Sequence, residues 1–474
     1  MPCESVADMP SSSSPHRTVA AALASRVGAL FVYDWDEIGF ARQGVRFDRA
    51  GFDLFAFPDN AHLIGFDLER FAAAQARRGR RHGWAGVVSN HEQFGALAAA
   101  LVAERLRLPG NPPEAVLACQ HKLHARRVLQ QVAPEANLRF AALDAGYGDD
   151  IPAALPDGLA YPVYVKPVKA AFSVLAREVA SRAELQAHTR FSRRELWVIR
   201  RLVEPFERVC RARLPGAGTA HRLLLEQPVP RHVRQYNLDG WVFDRRVHRL
   251  GVVDAVMYPG TQAFMRWELP SRLDEAVQQR ALDVARRFLA AVGFRHGFFN
   301  MEFFHDPATD RLTVIEFNPR MAAQFSDLYR RVLGIDPHAM AVAMALGEDP
   351  AALPRAEPTA GAAASFVYRA FDADGVPPMP SASRAAAWQR AHPDGLLFTF
   401  PKHGHALARD FKWLGSHRYG IVHLGGRDAA DLRARGLAAS AMLGWPAPYA
   451  EPLAAPAVDG TAPWAVEPVP IPAK

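Results

Sequence analysis

Gly297 to Asp306 reads GFFNMEFFHD and Arg311 to Arg320 reads RLTVIEFNPR. Each is a β-type run, and Asp306-Pro307-Ala308-Thr309-Asp310 between them is a turn. With Phe304 opposite Val314 in an antiparallel pair, Glu302 falls opposite Glu316, and the loop of about five residues is an acceptable hairpin length. By alternation Asn300, Glu302 and Phe304 share one face, which Val314, Glu316 and Asn318 continue on the partner strand. Two carboxylates directly opposed across a sheet repel and weaken the pairing. A divalent cation turns that liability into a site, since magnesium takes carboxylates together with substrate phosphates. Asn318 adds a neutral oxygen, and Arg320 a cation for a phosphate or carboxylate. Either glutamate alone reads equally well as an outward residue of an amphipathic hairpin. The pair in register, followed by Asn318-Pro319-Arg320, does not.

This hairpin resembles the metal-binding hairpin of the ATP-grasp superfamily, whose second glutamate lies in a signature similar to Glu316-Phe317-Asn318-Pro319-Arg320. The resemblance implies that Glu302, Glu316 and Asn318 hold magnesium, with manganese as a substitute, on the phosphates of ATP. It makes Arg320 catalytic, facing the reacting phosphate or the substrate. Upstream, Tyr161 to Lys169 reads YPVYVKPVK. A strand ending in Lys166-Pro167 fixes an ammonium at one strand position, suited to a phosphate, and the resemblance makes Lys166 both ATP-binding and catalytic. In the superfamily such a strand precedes a phosphate-covering loop, here Lys169 to Ser173. Many relatives place several glycines there so that backbone amides approach the phosphates. This chain has none in that stretch, and Ser173 is left to supply a hydroxyl. The resemblance also assigns Lys122, in the preceding helix, to ATP. Leu223 to Val229 (LLLEQPV) is similar to the segment that recognises adenine, with Glu226 for the exocyclic amine or ribose and the backbone of Gln227 and Val229 for the base edge. Gln235 stands where relatives often carry glutamate, which removes a charge near the nucleotide and keeps an oxygen. Asp239-Gly240 reads as a hairpin turn, and His232 as structural.

The chain has 474 residues, too many for one ordinary core, so several domains are expected. Residues 1–18 read as a disordered tail. Short runs at Gly28 to Tyr33 and Gly86 to Ser89, alternating with alanine-rich helices such as Phe94 to Arg107, predict an α/β domain with a parallel sheet over 19–117. Glu114 to Val132 predicts one helix. The ATP-grasp resemblance covers 118–350, with a lid subdomain at about 155–230. An alanine- and proline-rich linker leads to a small α/β segment at 365–445, and 446–474 is a Pro/Ala-rich tail. The expected fold is therefore α/β and α+β: a Rossmann-like N-terminal domain, two α+β subdomains clamping ATP, and the C-terminal segment.

The net charge of +7 comes from arginines spread along the chain, often beside acids, so a bias toward anionic small ligands is expected rather than nucleic-acid binding. Three cysteines in no metal-ligand spacing argue against a disulfide framework or a zinc site and suit a reducing compartment. No apolar run approaches the ~20 residues that span a bilayer, and no signal peptide is visible. A cytoplasmic protein without a membrane partner is expected, and a homodimer is compatible.

The resemblance implies a ligase that activates a small-molecule carboxylate as an acyl phosphate for attack by an amine or thiol. Two alternatives remain at this point: a bicarbonate-activating enzyme similar to biotin carboxylase, suggested by Arg231-His232-Val233, and a non-catalytic ATP-binding protein. Arg266 and Glu268 in FMRWELP, and Lys402, His403 and His405 in FPKHGH, are candidates for the acceptor pocket, though each reads as readily as an ordinary loop residue.

Overall fold

The computed structural model describes residues 25–54, 59–156, 158–170, 175–230 and 232–449. Ser173, Arg231, the first 18 residues and the chain beyond 449 fall outside them. Three sheets organise the rest. In the first, β1 (Arg26–Leu30), β2 (Arg46–Ala50) and β3 (Trp84–Val88) run parallel in the order β2-β1-β3. The helix Leu68–His82 makes the crossover to β3. Asp67 starts it by accepting from the Arg70 amide at 2.8 Å, and Gly83, in the left-handed region at φ 67°, ends it. The carboxyl ends of β1 and β3 open toward the rest of the molecule, the edge at which parallel sheets bind ligands.

The second sheet is antiparallel, with β4 (Phe140–Leu143), β5 (Val163–Pro167), β6 (Arg177–Val179) and β7 (Leu223–Glu226) in the order β4-β7-β5-β6. It takes in β4, which lies before the 155–230 segment read as the lid. The region expected as one helix is two, Pro113–Gln120 and Lys122–Val132, broken at His121 (φ −88°, ψ 90°). There the His121 ring accepts from the His124 amide at 3.1 Å and caps the second helix.

The third sheet has eight strands: β8 (Arg234–Phe243), β9 (Arg246–Met257), β10 (Phe264–Leu269), β11 (Gly297–Asp306), β12 (Arg311–Asn318), β13 (Ala362–Ala370), β14 (Leu396–Thr399) and β15 (His417–Gly426). Their order is β12-β11-β8-β9-β10-β13-β15-β14. The C-terminal segment thus builds no sheet of its own. Its strands extend the central one, joined where Arg266 of β10 faces Phe366 of β13. The helix Glu275–Ala291 covers one face, placing Val277, Ala281, Val284 and Phe288 at helical spacing over Met301, Phe303 and Phe317. The Phe288 and Phe317 rings stack with centroids 3.8 Å apart.

Asp239-Gly240 is not a turn. It lies inside β8, at a bulge, and the β8–β9 turn falls at Asp244 and Arg245, both at positive φ. Glycine is required at 240 because a Cβ there would lie 2.3 Å from the His248 carbonyl and 2.5 Å from the Phe299 ring.

Candidate nucleotide and metal site

β11 and β12 pair with Glu302 opposite Glu316 and Asn300 opposite Asn318. The expected Phe304–Val314 pairing is displaced by one residue. A bulge between Glu302 and Phe303 puts Phe303 opposite Val314, so the register that sets the glutamates holds only on their side of the bulge. Both carboxylates are half-buried, and their surroundings differ. Glu302 receives neutral donors, Gln235 Nε2 at 2.9 Å and Asn318 Nδ2 at 3.2 Å. Burial and the neighbouring Glu316 charge push its pKa up. Glu316 meets the same burial, but Lys122, with Nζ 2.6 Å from Oε2, and Lys166 outweigh it and hold it below the ordinary carboxylate range. Asn318 is placed as a donor toward Glu302 and Asn300 rather than as an oxygen ligand.

Lys122 owes its position to the break at His121. As the first residue of its helix it donates its amide to the Val168 carbonyl at 3.1 Å and its ammonium to the Ala170 carbonyl at 3.1 Å. The helix is thereby pinned to the chain leaving β5.

Glu226, expected to face the exocyclic amine or ribose, already has charged partners. Its buried carboxylate accepts from Arg126 Nε at 2.6 Å and pairs with Lys166 Nζ at 2.8 Å. Burial alone would raise its pKa; Arg126 and Lys166 hold it down. It is thus already engaged with Lys166 while bordering the cavity described below. Burial lowers the Lys166 pKa, with Arg126 and Lys122 adding to the effect and Glu226 opposing it.

Arg126 was not anticipated from the sequence. It is 3% exposed and spans three segments, donating to Asn137 Oδ1 at 3.1 Å, the Val314 carbonyl at 2.7 Å and the Ile315 carbonyl at 3.0 Å as well as to Glu226. Its spacing of four from Lys122, which puts both on one helix face, was the available signal.

A second unanticipated group comes from the loop after β3. Glu92 Oε2 lies 3.0 Å from Arg320 Nε, and Gln120 Nε2 donates to Glu92 Oε1 at 2.9 Å. Lys169 donates to the Glu92 carbonyl at 3.1 Å and stands 5.0 Å from the Phe206 ring centroid. Burial, partly offset by Glu92, brings the Lys169 ammonium down to about 8. Arg320 thus faces the N-terminal domain, paired with an acid.

Lys122, Lys166, Gln227, Val229, Glu302 and Glu316 border one cavity of about 310 Å³ between the second and third sheets. Gln235 and His232 border it too, and so do Arg266 and Glu268 at its far end, where Arg266 Nε donates to Glu268 at 2.7 Å. Lys402 of the second candidate group is instead bound to Asp410 at 3.0 Å. Among the described residues no three His, Cys, Asp or Glu side chains gather to hold a metal by themselves. Two carboxylates and an amide beside a cavity still fit magnesium, which completes its shell with phosphate oxygens and water.

No family model matches the chain. A stretch of 260 residues is 29% identical to carnosine synthase 1 of Gallus gallus, over 53% of this chain and 26% of that protein. The match therefore spans about a quarter of that relative's length. Among solved structures, an L-amino acid ligase from Bacillus licheniformis superposes with a TM-score of 0.63 at 16% identity, over 88% of this chain and 97% of that one. A carboxyaminoimidazole ribonucleotide synthase from Aspergillus clavatus, complexed with ATP, gives 0.59 at 13% identity, over 89% and 99%. Biotin carboxylase from Campylobacter jejuni gives 0.56 at 14%, over 89% and 92%. The chain has the ATP-grasp fold. The second sheet faces the third, which carries the glutamate hairpin. The cavity lies between them. Among the described residues, no helix is long and apolar enough to cross a membrane.

Proposed function

We propose that the chain is an ATP- and magnesium-dependent ligase that joins a carboxylate to an amine through an acyl phosphate, with amino acids as its substrates. One observation carries the reading: Glu302 and Glu316 stand opposed at the edge of a cavity that also receives Lys122 and Lys166. The substrate class is supported by the names of two relatives, an L-amino acid ligase and a carnosine synthase.

In this reading Glu302, Glu316 and Asn318 hold the metal, with the Asn318 amide turned to present its oxygen. Magnesium there supplies charge neutralisation on the phosphate oxygens. Lys122 and Lys166 bind the phosphates, and the Arg126–Glu226 clamp fixes Lys166 at one point so that little reorganisation is needed when the charge moves. The backbone of Gln227 and Val229 reads the base edge, and Gln235 orients Glu302. Arg320 leaves Glu92 to neutralise the transferring phosphoryl group. A carboxylate oxygen of the acid attacks the terminal phosphorus and ADP departs. The amine then attacks the acyl carbon, loses a proton, and phosphate leaves.

The test is ADP release in the presence of magnesium and pairs of amino acids. ADP is expected only when both an acid and an amine are supplied. Release that follows bicarbonate instead would move the chain to the bicarbonate-activating enzymes. ATP binding without turnover on any acceptor would contradict an enzymatic role.

A further inference from the structure

β13 and β15 set Arg369 directly opposite Arg418, beside a bulge between Tyr368 and Arg369. The neighbouring Tyr368 and Tyr419 pack into the core on the other face of the sheet. Like charges opposed across strands weaken the pairing. The arrangement therefore calls for an anion, as the glutamate pair calls for a cation. Among the described residues neither guanidinium has a carboxylate partner. Arg369 donates only to neutral oxygens, from Nε to the Phe264 carbonyl at 3.2 Å and from Nη1 to Ser416 Oγ at 3.0 Å. Arg418 lies over the Phe400 ring, 4.3 Å from its centroid. Asp410, an acid that acts on both arginines, is already held by Lys402 and His417, each at 3.0 Å. Asp34, which also acts on Arg418, is exposed. Burial and the Arg418 charge bring Arg369 down to about 10, a cost that a bound anion would relieve.

The pair does not line the nucleotide cavity but stands next to residues that border the proposed chemistry. Tyr33, at the carboxyl end of β1, interacts electrostatically with Arg320 and Glu92 and also with Arg418. Tyr258 borders the nucleotide cavity, and its hydroxyl accepts from the Arg369 amide at 3.3 Å.

We infer that Arg369 and Arg418 form a carboxylate subsite for the amine substrate, an inference that rests on the ligase reading above. An amino acid that attacks an acyl phosphate through its amine keeps its own carboxylate, and two guanidiniums away from the phosphates hold that spectator group. They thereby exclude simple amines, which leave both arginines unpaired.

The informative variant is Arg418→Gln. Among the described residues Arg418 gives up no hydrogen bond, whereas Arg369→Gln loses those to Phe264 and Ser416. Succinate, titrated by calorimetry into the full chain without ATP, is expected to bind at least tenfold more weakly to Arg418→Gln than to the native protein, with magnesium-ATP affinity the same in both. In turnover the KM of an amino acid amine is expected to rise at least tenfold with a smaller change in kcat, and the preference for an amino acid over its amide is expected to disappear. Arg418-dependent succinate binding in a protein that never releases ADP would keep the subsite and sink the ligase reading. Equal succinate binding by variant and native protein, or no saturable binding to either, overturns the subsite. Arg418-dependent binding of inorganic phosphate in place of succinate overturns its assignment to a carboxylate.

Discussion

Glu316→Gln is expected to lower kcat by two to three orders of magnitude, roughly 3–4 kcal/mol of transition-state stabilisation. Magnesium-ATP affinity should fall at least tenfold. The substitution keeps shape and removes one of two anionic ligands. It leaves the Lys122 ammonium, now 2.6 Å from Glu316 Oε2, with Glu302 as a further acid acting on it. The lysine is thus not stranded, and the fold should survive. Glutamine at 316 would relieve the repulsion that pushes Glu302 up but would lose the ion pair with Lys122 that holds Glu316 down, so the unfolding midpoint should fall modestly while activity collapses. Steady-state kinetics, calorimetry and thermal unfolding on the same preparation separate these effects. Unchanged affinity for magnesium-ATP would remove the metal assignment.

The second large effect is on stability. Arg126→Met leaves Glu226 buried with Lys166 as its one partner and takes donors from Asn137, Val314 and Ile315. Removing one member of a buried, hydrogen-bonded charge pair costs about 3–5 kcal/mol. That corresponds to a Tm lower by on the order of 10 °C. The adjacent Arg127 is exposed and donates to the Ala217 carbonyl at 3.1 Å. Arg127→Met should stay within about 0.5 kcal/mol of the native chain. Equal midpoints for the two variants would show that the Arg126 network is not a structural clamp.

What the sequence disclosed follows from the range of the interactions involved. The opposed glutamates were legible because two short runs with a turn between them constrain each other within twenty residues. Even there the bulge was invisible, since nothing in RLTVIEFNPR marks Ile315 as the extra residue. The ion pair that Glu226 makes was not legible because its partner Arg126 lies 100 residues upstream. A glutamate in an adenine-like segment carries no mark of such a partner. Glu92, in SNHEQF after β3, became a site residue only when the first domain docked against Arg320 and Lys169. Asp239-Gly240 has turn chemistry, but the need for glycine there comes from His248 and Phe299, which the local sequence does not reveal. The C-terminal strands looked separate because a proline-rich linker precedes them, whereas the free edge of β10 decides where they pair.

The acyl phosphate itself is best tested by the fate of oxygen. With an acid labelled by ¹⁸O in its carboxylate, magnesium, ATP and an amine acceptor, one labelled oxygen should appear in the released inorganic phosphate, read by mass spectrometry, with ADP as the other product. That oxygen begins on the acid, bridges carbon and phosphorus, and leaves when the amine attacks. Unlabelled phosphate, or label found in AMP, would contradict the account.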